Sequence, residues 1–234
     1  MSRRLSFSDG CLDCPLRQEG DFCQLPTDML AEFHSLGNLT LYPSDVPLVV
    51  EGLPPRGVYI VCSGQIKLSV TAQDRKTVIL KVAGERYVLG LSAVVSHRPS
   101  PLEATTIGHC QIKFIERETF LRFLNQWPHA ALSAGRLLSL EIGSAFRDVH
   151  DLLLARSSTE KLARLLLSWV AHQPENRDLR VDAVFTHEEM AQMIGSSRET
   201  VTRLLSVLKR RELIRLEGST LVIPNRVALK AIAS

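Results

Sequence analysis

Three cysteines fall within thirteen residues: Cys11, Cys14 and Cys23. Thiolates are the soft donors that zinc and iron–sulfur clusters select, and they also form disulfide switches. The clustering therefore points to metal or redox chemistry, with a zinc knuckle and a thiol–disulfide switch among the readings it leaves open. A second set of reactive types lies near the other end. Arg198, Glu199, Thr202 and Arg203 recur on one face of a helical pattern. Arginine pairs bidentately with guanine, and a carboxylate accepts from cytosine. Ser197, Lys209, Arg210 and Arg211 flank this face where phosphates would lie. No Gly-rich phosphate loop, nucleophile elbow or His-Glu-x-x-His helix is present, so the chain reads as a binding protein and not an enzyme.

The stretch 187–206, HEEMAQMIGSSRETVTRLLS, has the spacing of a helix-turn-helix. Ala191 is small where two helices must approach, and Gly195 stands where the chain must turn. Val201, Leu204, Leu205 and Leu208 make the inward face of the second helix. Ser196 and Glu199 also have capping-box spacing, but the arginines flanking Glu199 on its own face favour base readout. From Arg198 onward there are eight Lys and Arg against three Asp and Glu, a basic end suited to nucleic acid.

These residues need a scaffold. The chain has 234 residues, 45% hydrophobic and 23% charged, a globular composition. No apolar run reaches the length of a membrane span. The basic start Met1-Ser2-Arg3-Arg4 is followed by no apolar stretch, so no secretory signal and a cytoplasmic protein are expected. Residues 27–36 read as a short helix capped by Thr27 or Asp28. Residues 39–118 read as six to eight short strands punctuated by Gly52, Gly57, Gly64, Gly84 and Gly90, the pattern of an antiparallel sandwich or barrel. Cys62 falls in the strand 58–62 and reads as a buried structural thiol. A short helix is expected over 117–127 and a long one over 130–155. In the long helix Leu138, Ile142, Ala145, Val149 and Leu152 step by 4, 3, 4, 3, a coiled-coil seam for a dimer. Residues 156–159 read as a hinge, with Ser157 or Ser158 capping a helix over 159–172. Residues 173–183 read as a polar connection, and 213–223 as a strand–turn–strand wing. The expected division is a cysteine-bearing arm (1–26), a β-roll (27–128), a dimerisation helix (129–156) and a winged helix-turn-helix (157–234).

This order of parts resembles the CRP/FNR family of bacterial transcription regulators. The resemblance rests on Glu51-Gly52, Gly57 to Val61, Ser63 to Lys67, the interval Gly84 to Gly90, and Gly195 to Leu205. It implies an α+β fold: an N-terminal antiparallel β-roll of cupin-like, cyclic-nucleotide-binding type, a long dimerisation helix and a C-terminal winged helix-turn-helix. Cyclic-AMP-binding members carry a Glu shortly after the equivalent of Gly90 and an Arg-Ser pair before the next strand. Here residues 90–94 are Gly-Leu-Ser-Ala-Val and residues 98–101 are Arg-Pro-Ser-Pro. The branch it is most similar to is that of FNR, whose members hold a 4Fe-4S cluster on three N-terminal cysteines and one from a late strand. That resemblance implies Cys11, Cys14, Cys23 and Cys110 as ligands, and oxygen, nitric oxide or another redox signal as the stimulus. The interval from Cys14 to Cys23 is longer than in the shortest family versions. In a haem-binding branch a His near His97 ligates iron, but the companion cysteine is replaced by Val95. The resemblance further implies a homodimer on a palindromic DNA site, RNA polymerase as partner, and a half-site of TGTGA type for the Arg198-Glu199-x-x-x-Arg203 face.

Overall fold

The structure is a computed structural model describing residues 11, 14, 22–74, 76–154, 157–170, 179–181, 185–217 and 220–233. The expected arm is thus described at Cys11, Cys14 and 22–26. Most of the connection 173–183 and the wing tip 218–219 lie outside the described residues. The chain divides into two compact units, Met1–Lys76 with Leu80–Ser144, and Ala145–Ser234 with Thr77–Ile79.

In the first unit a 3-10 turn at Phe22–Gln24 leads to α1 (Thr27–Ser35). There follow β1 (Asn38–Tyr42), β2 (Pro47–Val49), β3 (Gly57–Thr71), β4 (Thr77–Ala83), β5 (Val88–Leu89), α2 (Leu91–Ser96), β6 (Glu103–Glu116), α3 (Arg117–Gln126) and α4 (Pro128–Leu154). The sheet runs β1-β6-β3-β4, with β2 on β6 and β5 on β3. Its spine is the antiparallel pair β3 and β6, with Ile60 opposite Lys113 and Val61 opposite Ile112. The two short strands expected over 58–62 and 65–70 are one strand. The pairing register shifts on either side of Ser63, so the ladder bulges without ending. Gly64 makes the bulge possible. Its φ is +90°, and a Cβ there would lie 2.7 Å from the carbonyl oxygen of His109.

Successive side chains on a strand face opposite sides, and this sheet is covered on both. Val58, Ile60 and Ile115 face a helical layer that includes Phe22, Leu30, Phe33, Phe120 and Phe123. Tyr59, Val61, Ile66, Leu68, Cys110 and Ile112 face the interior of the roll. Phe22 stacks on Phe33 at 5.4 Å between centroids and meets Phe120 at 5.5 Å. The segment that leads to Cys23 is thereby fastened to the helical side of the sheet. α1 begins at Thr27 as expected, but neither Thr27 nor Asp28 caps it. Pro26 is its N-cap residue, with no side-chain cap, and the Pro26 carbonyl accepts from the Leu30 N–H at 2.8 Å.

The first half of α4 belongs to this layer. Ala130 and Ala134 are buried in it, with Leu137 and Leu138 packed partly buried against it. Leu138 is therefore taken up by its own unit. Beyond it the apolar side chains of Leu140, Ile142, Phe146 and Val149 are exposed, as is Ala145. The side chain of Leu152 lies outside the described set. The exposed stripe thus starts later than the heptad pattern predicts, because sheet packing claims the first position.

The second unit contains α5 (Ser158–Trp169), β7 (Leu179–Val181), α6 (His187–Ile194), α7 (Arg198–Arg210), β8 (Arg215–Glu217), β9 (Thr220–Ile223) and α8 (Arg226–Ala233). The Ser157 hydroxyl accepts from the Glu160 N–H at 3.2 Å and starts α5, as expected. β7, inside the segment read as a polar connection, completes a three-stranded sheet ordered β7-β9-β8. α8 is a further element that the sequence pattern does not announce. No helix among the described residues is long and apolar enough to cross a membrane.

Candidate functional site

The helical side of the sheet holds a cavity of about 320 Å³. That is at the lower end of the roughly 300–1,000 Å³ typical of cofactor and small-molecule sites. Four cysteines line it: Cys11, Cys14, Cys23 and Cys62. His34, Arg86 and Lys113 line it too. The cysteines arrive by separate routes. The anchoring of Phe22 sets Cys23 beside α1, and the Cys11 N–H donates to His34 Nδ1 at 3.4 Å. Cys62 comes from β3, two positions after Ile60 and so on the same side of the sheet. Lys113 is only 4% exposed, and its Nζ donates to the His34 carbonyl oxygen at 2.8 Å. Among the described residues no three His, Cys, Asp or Glu stand at metal-ligating geometry, so the thiols share a cavity without forming a coordination sphere.

Burial pushes the Cys62 thiol up to about 11, with Cys11 and Cys14 adding to the rise and Lys113 opposing it. Burial likewise lowers Lys113, while Cys11 and Cys62 pull it back up. A bound cation reverses this logic and deprotonates coordinating thiols outright.

Cys110, the expected fourth ligand, is not at this cavity. It is fully buried among the residues of the roll interior. Its thiol donates to the Gln65 carbonyl oxygen at 3.0 Å. The reason is strand parity. Cys110, Ile112 and Phe114 share one face of β6, and Lys113 and Ile115 the other. Cys62, read as structural, is the cysteine that faces the arm. The alternation Val58, Ile60, Cys62 already carried that signal. His97 lies elsewhere, its ring against the Arg117 guanidinium.

The cavity wall is joined to α4. The Arg86 N–H donates to the Val61 carbonyl oxygen at 2.6 Å, and the Val61 N–H donates to that of Tyr87 at 3.0 Å. The Tyr87 hydroxyl donates to the Glu141 carboxylate on α4.

In the second unit α7 presents the face expected of a recognition helix. Val201, Leu204, Leu205 and Leu208 are buried. Arg198, Glu199, Thr202, Arg203, Lys209 and Arg210 are exposed, as is Arg211 just beyond the helix. Gly195 closes α6 in the left-handed region at φ +62°. The N-cap is Ser197, whose hydroxyl accepts from the Thr200 N–H at 3.2 Å, so the alternative box starting at Ser196 is not formed. Hydrogen bonds from its own backbone N–H and from Ser197 hold the Glu199 carboxyl below its ordinary range. Thr202 is also committed locally. Its hydroxyl donates to the Arg198 carbonyl oxygen at 2.9 Å and meets His187 Nδ1 at 2.8 Å. Arg198 and Arg203 remain the long exposed donors of this face.

Residues 160–232 match the Crp-like helix-turn-helix domain, and residues 39–126 match the cyclic nucleotide-binding domain. The chain belongs to the CRP/FNR family of transcription regulators. The regulator is 29% identical over 199 residues to the CRP-like cAMP-activated global transcriptional regulator of Mycobacterium tuberculosis, covering 82% of this chain and 88% of that one. It is 27% identical over 227 residues to the nitrogen fixation regulation protein FixK of Bradyrhizobium diazoefficiens, covering 95% and 94%. In structure it resembles the c-di-GMP responsive global regulator CLP of Xanthomonas campestris, with TM-score 0.73 and 19% identity over 86% of this chain and all of that one. The relatives and the fold are those of DNA-binding regulators, not enzymes. At the position where cyclic-AMP-binding members carry an acid, the first turn of α2 has none. The buried Ser100 hydroxyl is used internally, donating to the Leu102 carbonyl oxygen at 2.7 Å.

Proposed function

We propose that this regulator is a homodimer that senses oxygen, nitric oxide or another redox signal through a 4Fe-4S cluster. Cys11, Cys14 and Cys23 would hold it together with a fourth thiol from the sheet. The observation that supports this reading is the meeting of thiols and cations in one cavity of cofactor size. Soft thiolates suit cluster iron, and a cubane held by four of them carries net negative charge that a buried Lys113 and the nearby Arg86 would offset. When bound, the cluster supplies a redox-sensitive tie between the arm and the sheet. The chain's own residues do the rest. Phe22 fastens the arm. Lys113 fixes the end of α1 through the His34 carbonyl. Tyr87 passes strain from the cavity wall to Glu141 of α4.

The exposed stripe of Leu140, Ile142, Phe146 and Val149 is the surface through which two copies would join. A two-fold dimer presents two recognition helices to a palindromic site. Arg198, Glu199 and Arg203 are placed to read base edges. Lys209, Arg210 and Arg211 are placed for phosphates, while Ser197 and Thr202 shape the helix start. RNA polymerase is the partner such a dimer would engage on DNA.

The test is to purify the protein without oxygen and assay iron, sulfide and zinc beside the visible spectrum. About four iron and four sulfide per chain are expected. Affinity for a palindromic TGTGA-type duplex is expected to fall on exposure to air and to be unaffected by cyclic AMP. A colourless, iron-free protein whose DNA affinity ignores air would overturn the cluster reading. It would return the sensing chemistry to zinc or to thiols alone.

A further inference from the structure

We infer that Cys62, and not Cys110, is the sheet's ligand to the group held by Cys11, Cys14 and Cys23. This rests on the cluster reading above and adds the identity of its fourth ligand.

Two cysteines on the spine strands could supply the fourth thiol. They stand on opposite faces of one sheet. Cys62 is half-buried and lines the cavity that Cys11, Cys14 and Cys23 also line. It follows Val58 and Ile60 on the face that packs against the arm. Cys110 follows the other parity and packs with Val61, Ile66 and Ile112 inside the roll. Its sulfur has three backbone carbonyl oxygens within hydrogen-bonding range: Gln65 at 3.0 Å, Ile107 at 3.6 Å and Gly108 at 3.8 Å. Gly64 is pressed so close that a Cβ there would lie 2.8 Å from it.

To bring Cys110 to the cavity, β6 would have to slip by one residue. A one-residue slip turns every side chain of the strand over. Ile112 would leave the roll interior and Ile115 would leave the helical layer, each giving up a fully buried position. Lys113 would be driven from the cavity into an apolar core. Cys62 needs no such change. Lys113 opposes the rise that burial gives the Cys62 thiol, and Arg86 lines the same cavity as a second cation. On ligation each thiol gives up its proton to solvent, and the sulfur lone pair forms the bond to iron.

The experiment uses the full-length protein, purified without oxygen or reconstituted with iron and sulfide, as wild type, Cys62→Ser and Cys110→Ser. Iron and sulfide per chain, the visible spectrum and far-ultraviolet circular dichroism are read together. Absence of a cluster in wild type would remove the reading beneath the inference, and that result is distinct from any difference between the two variants. With a cluster in wild type, Cys62→Ser is expected to lose the cubane's full iron and sulfide while Cys110→Ser keeps them. Loss in Cys110→Ser with retention in Cys62→Ser overturns the inference. So does loss in both with native dichroism, and so does retention in both, which would point to His34 as the remaining donor.

A second measurement needs no variant. Iodoacetamide labelling of native wild type, mapped by mass, should spare Cys62 together with Cys11, Cys14 and Cys23 when the cluster is present. All four should become labelled after chelation, with Cys110 unlabelled in both states. Labelling of Cys62 in the cluster-loaded protein overturns the inference even if Cys62→Ser fails to fold.

Discussion

Ile142→Ala tests the dimer surface of α4 against a residue one turn earlier. Ile142 is 58% exposed in the single chain. Replacing Ile by Ala removes three carbons, worth about 2.4 kcal/mol if fully buried at about 0.8 kcal/mol per carbon. Only the part still exposed can be gained on pairing, which leaves about 1.4 kcal/mol per copy. A two-fold interface counts each substitution twice, giving about 2.8 kcal/mol per dimer. At 1.4 kcal/mol per decade, the dimer dissociation constant should rise about 100-fold. Sedimentation velocity over a concentration series reads this directly. Thermal stability of the monomeric form should hardly change, because Ile142 has little packing to lose there. Leu138→Ala is the counterpart. Leu138 packs on its own sheet, so its loss should lower thermal stability with only an indirect effect on association. A shift below about threefold for Ile142→Ala, or a larger shift for Leu138→Ala, would refute the assignment of the exposed stripe as the dimer face.

Both units carry further tests. Arg198→Ala should weaken binding by about 1–3 kcal/mol and relax preference at one guanine in competition assays with substituted duplexes; an equal loss on every sequence would assign Arg198 to phosphate instead. Phe22→Ala removes a buried ring stacked on Phe33 and tilted against Phe120, and large-to-small changes of this kind cost about 3–5 kcal/mol. It should lower the melting temperature and the iron retained per chain together, and an unchanged melt would show that the arm is not anchored there. In the metal-free protein the Cys62 thiol stays protonated well above the ordinary 9.0, so its alkylation rate should keep rising through about pH 11. A rate that levels off by pH 9 would contradict the burial of that thiol. The raised thiol also means that Cys62 favours the folded metal-free protein below the ordinary thiol range, and that this contribution is lost as pH climbs toward 11.

The elements that the sequence announces best are those with strong local signals. Gly195 followed by an amphipathic run marks the turn and recognition helix without ambiguity, and the structure buries Val201, Leu204, Leu205 and Leu208 as that pattern requires. The roll is legible as strands, but not its long spine. The bulge at Ser63 and Gly64 looks like a break in sequence, and only pairing with β6 shows that β3 continues through it. β7 has three residues, too few for periodicity to stand out from the polar run that precedes it, and α8 follows Pro224 and Asn225 after the wing, where the helix-turn-helix pattern has already ended. The side of the sheet that Cys110 faces is hidden in the sequence for a different reason. Family position singles out Cys110, while the side to which a strand residue points depends on register and on the layer that covers each face. Residue type and spacing show which thiols could ligate, and the sheet decides which of them meet.

The hydrogen bond from Tyr87 to Glu141 has a mechanical consequence. A helix of 27 residues is a rod about 40 Å long, and Glu141 sits near its middle, about 20 Å from its C-terminal tip. Tyr87 grips the rod at that fulcrum, and the same short turn is laced to Val61, the neighbour of Cys62. A rotation of about 5° at the fulcrum sweeps the tip through about 1.7 Å. That is the scale at which packed interfaces switch between arrangements. A small shift of the strand at Val61 would therefore reach the tip of α4 as a larger one, because leverage along the helix magnifies the stroke.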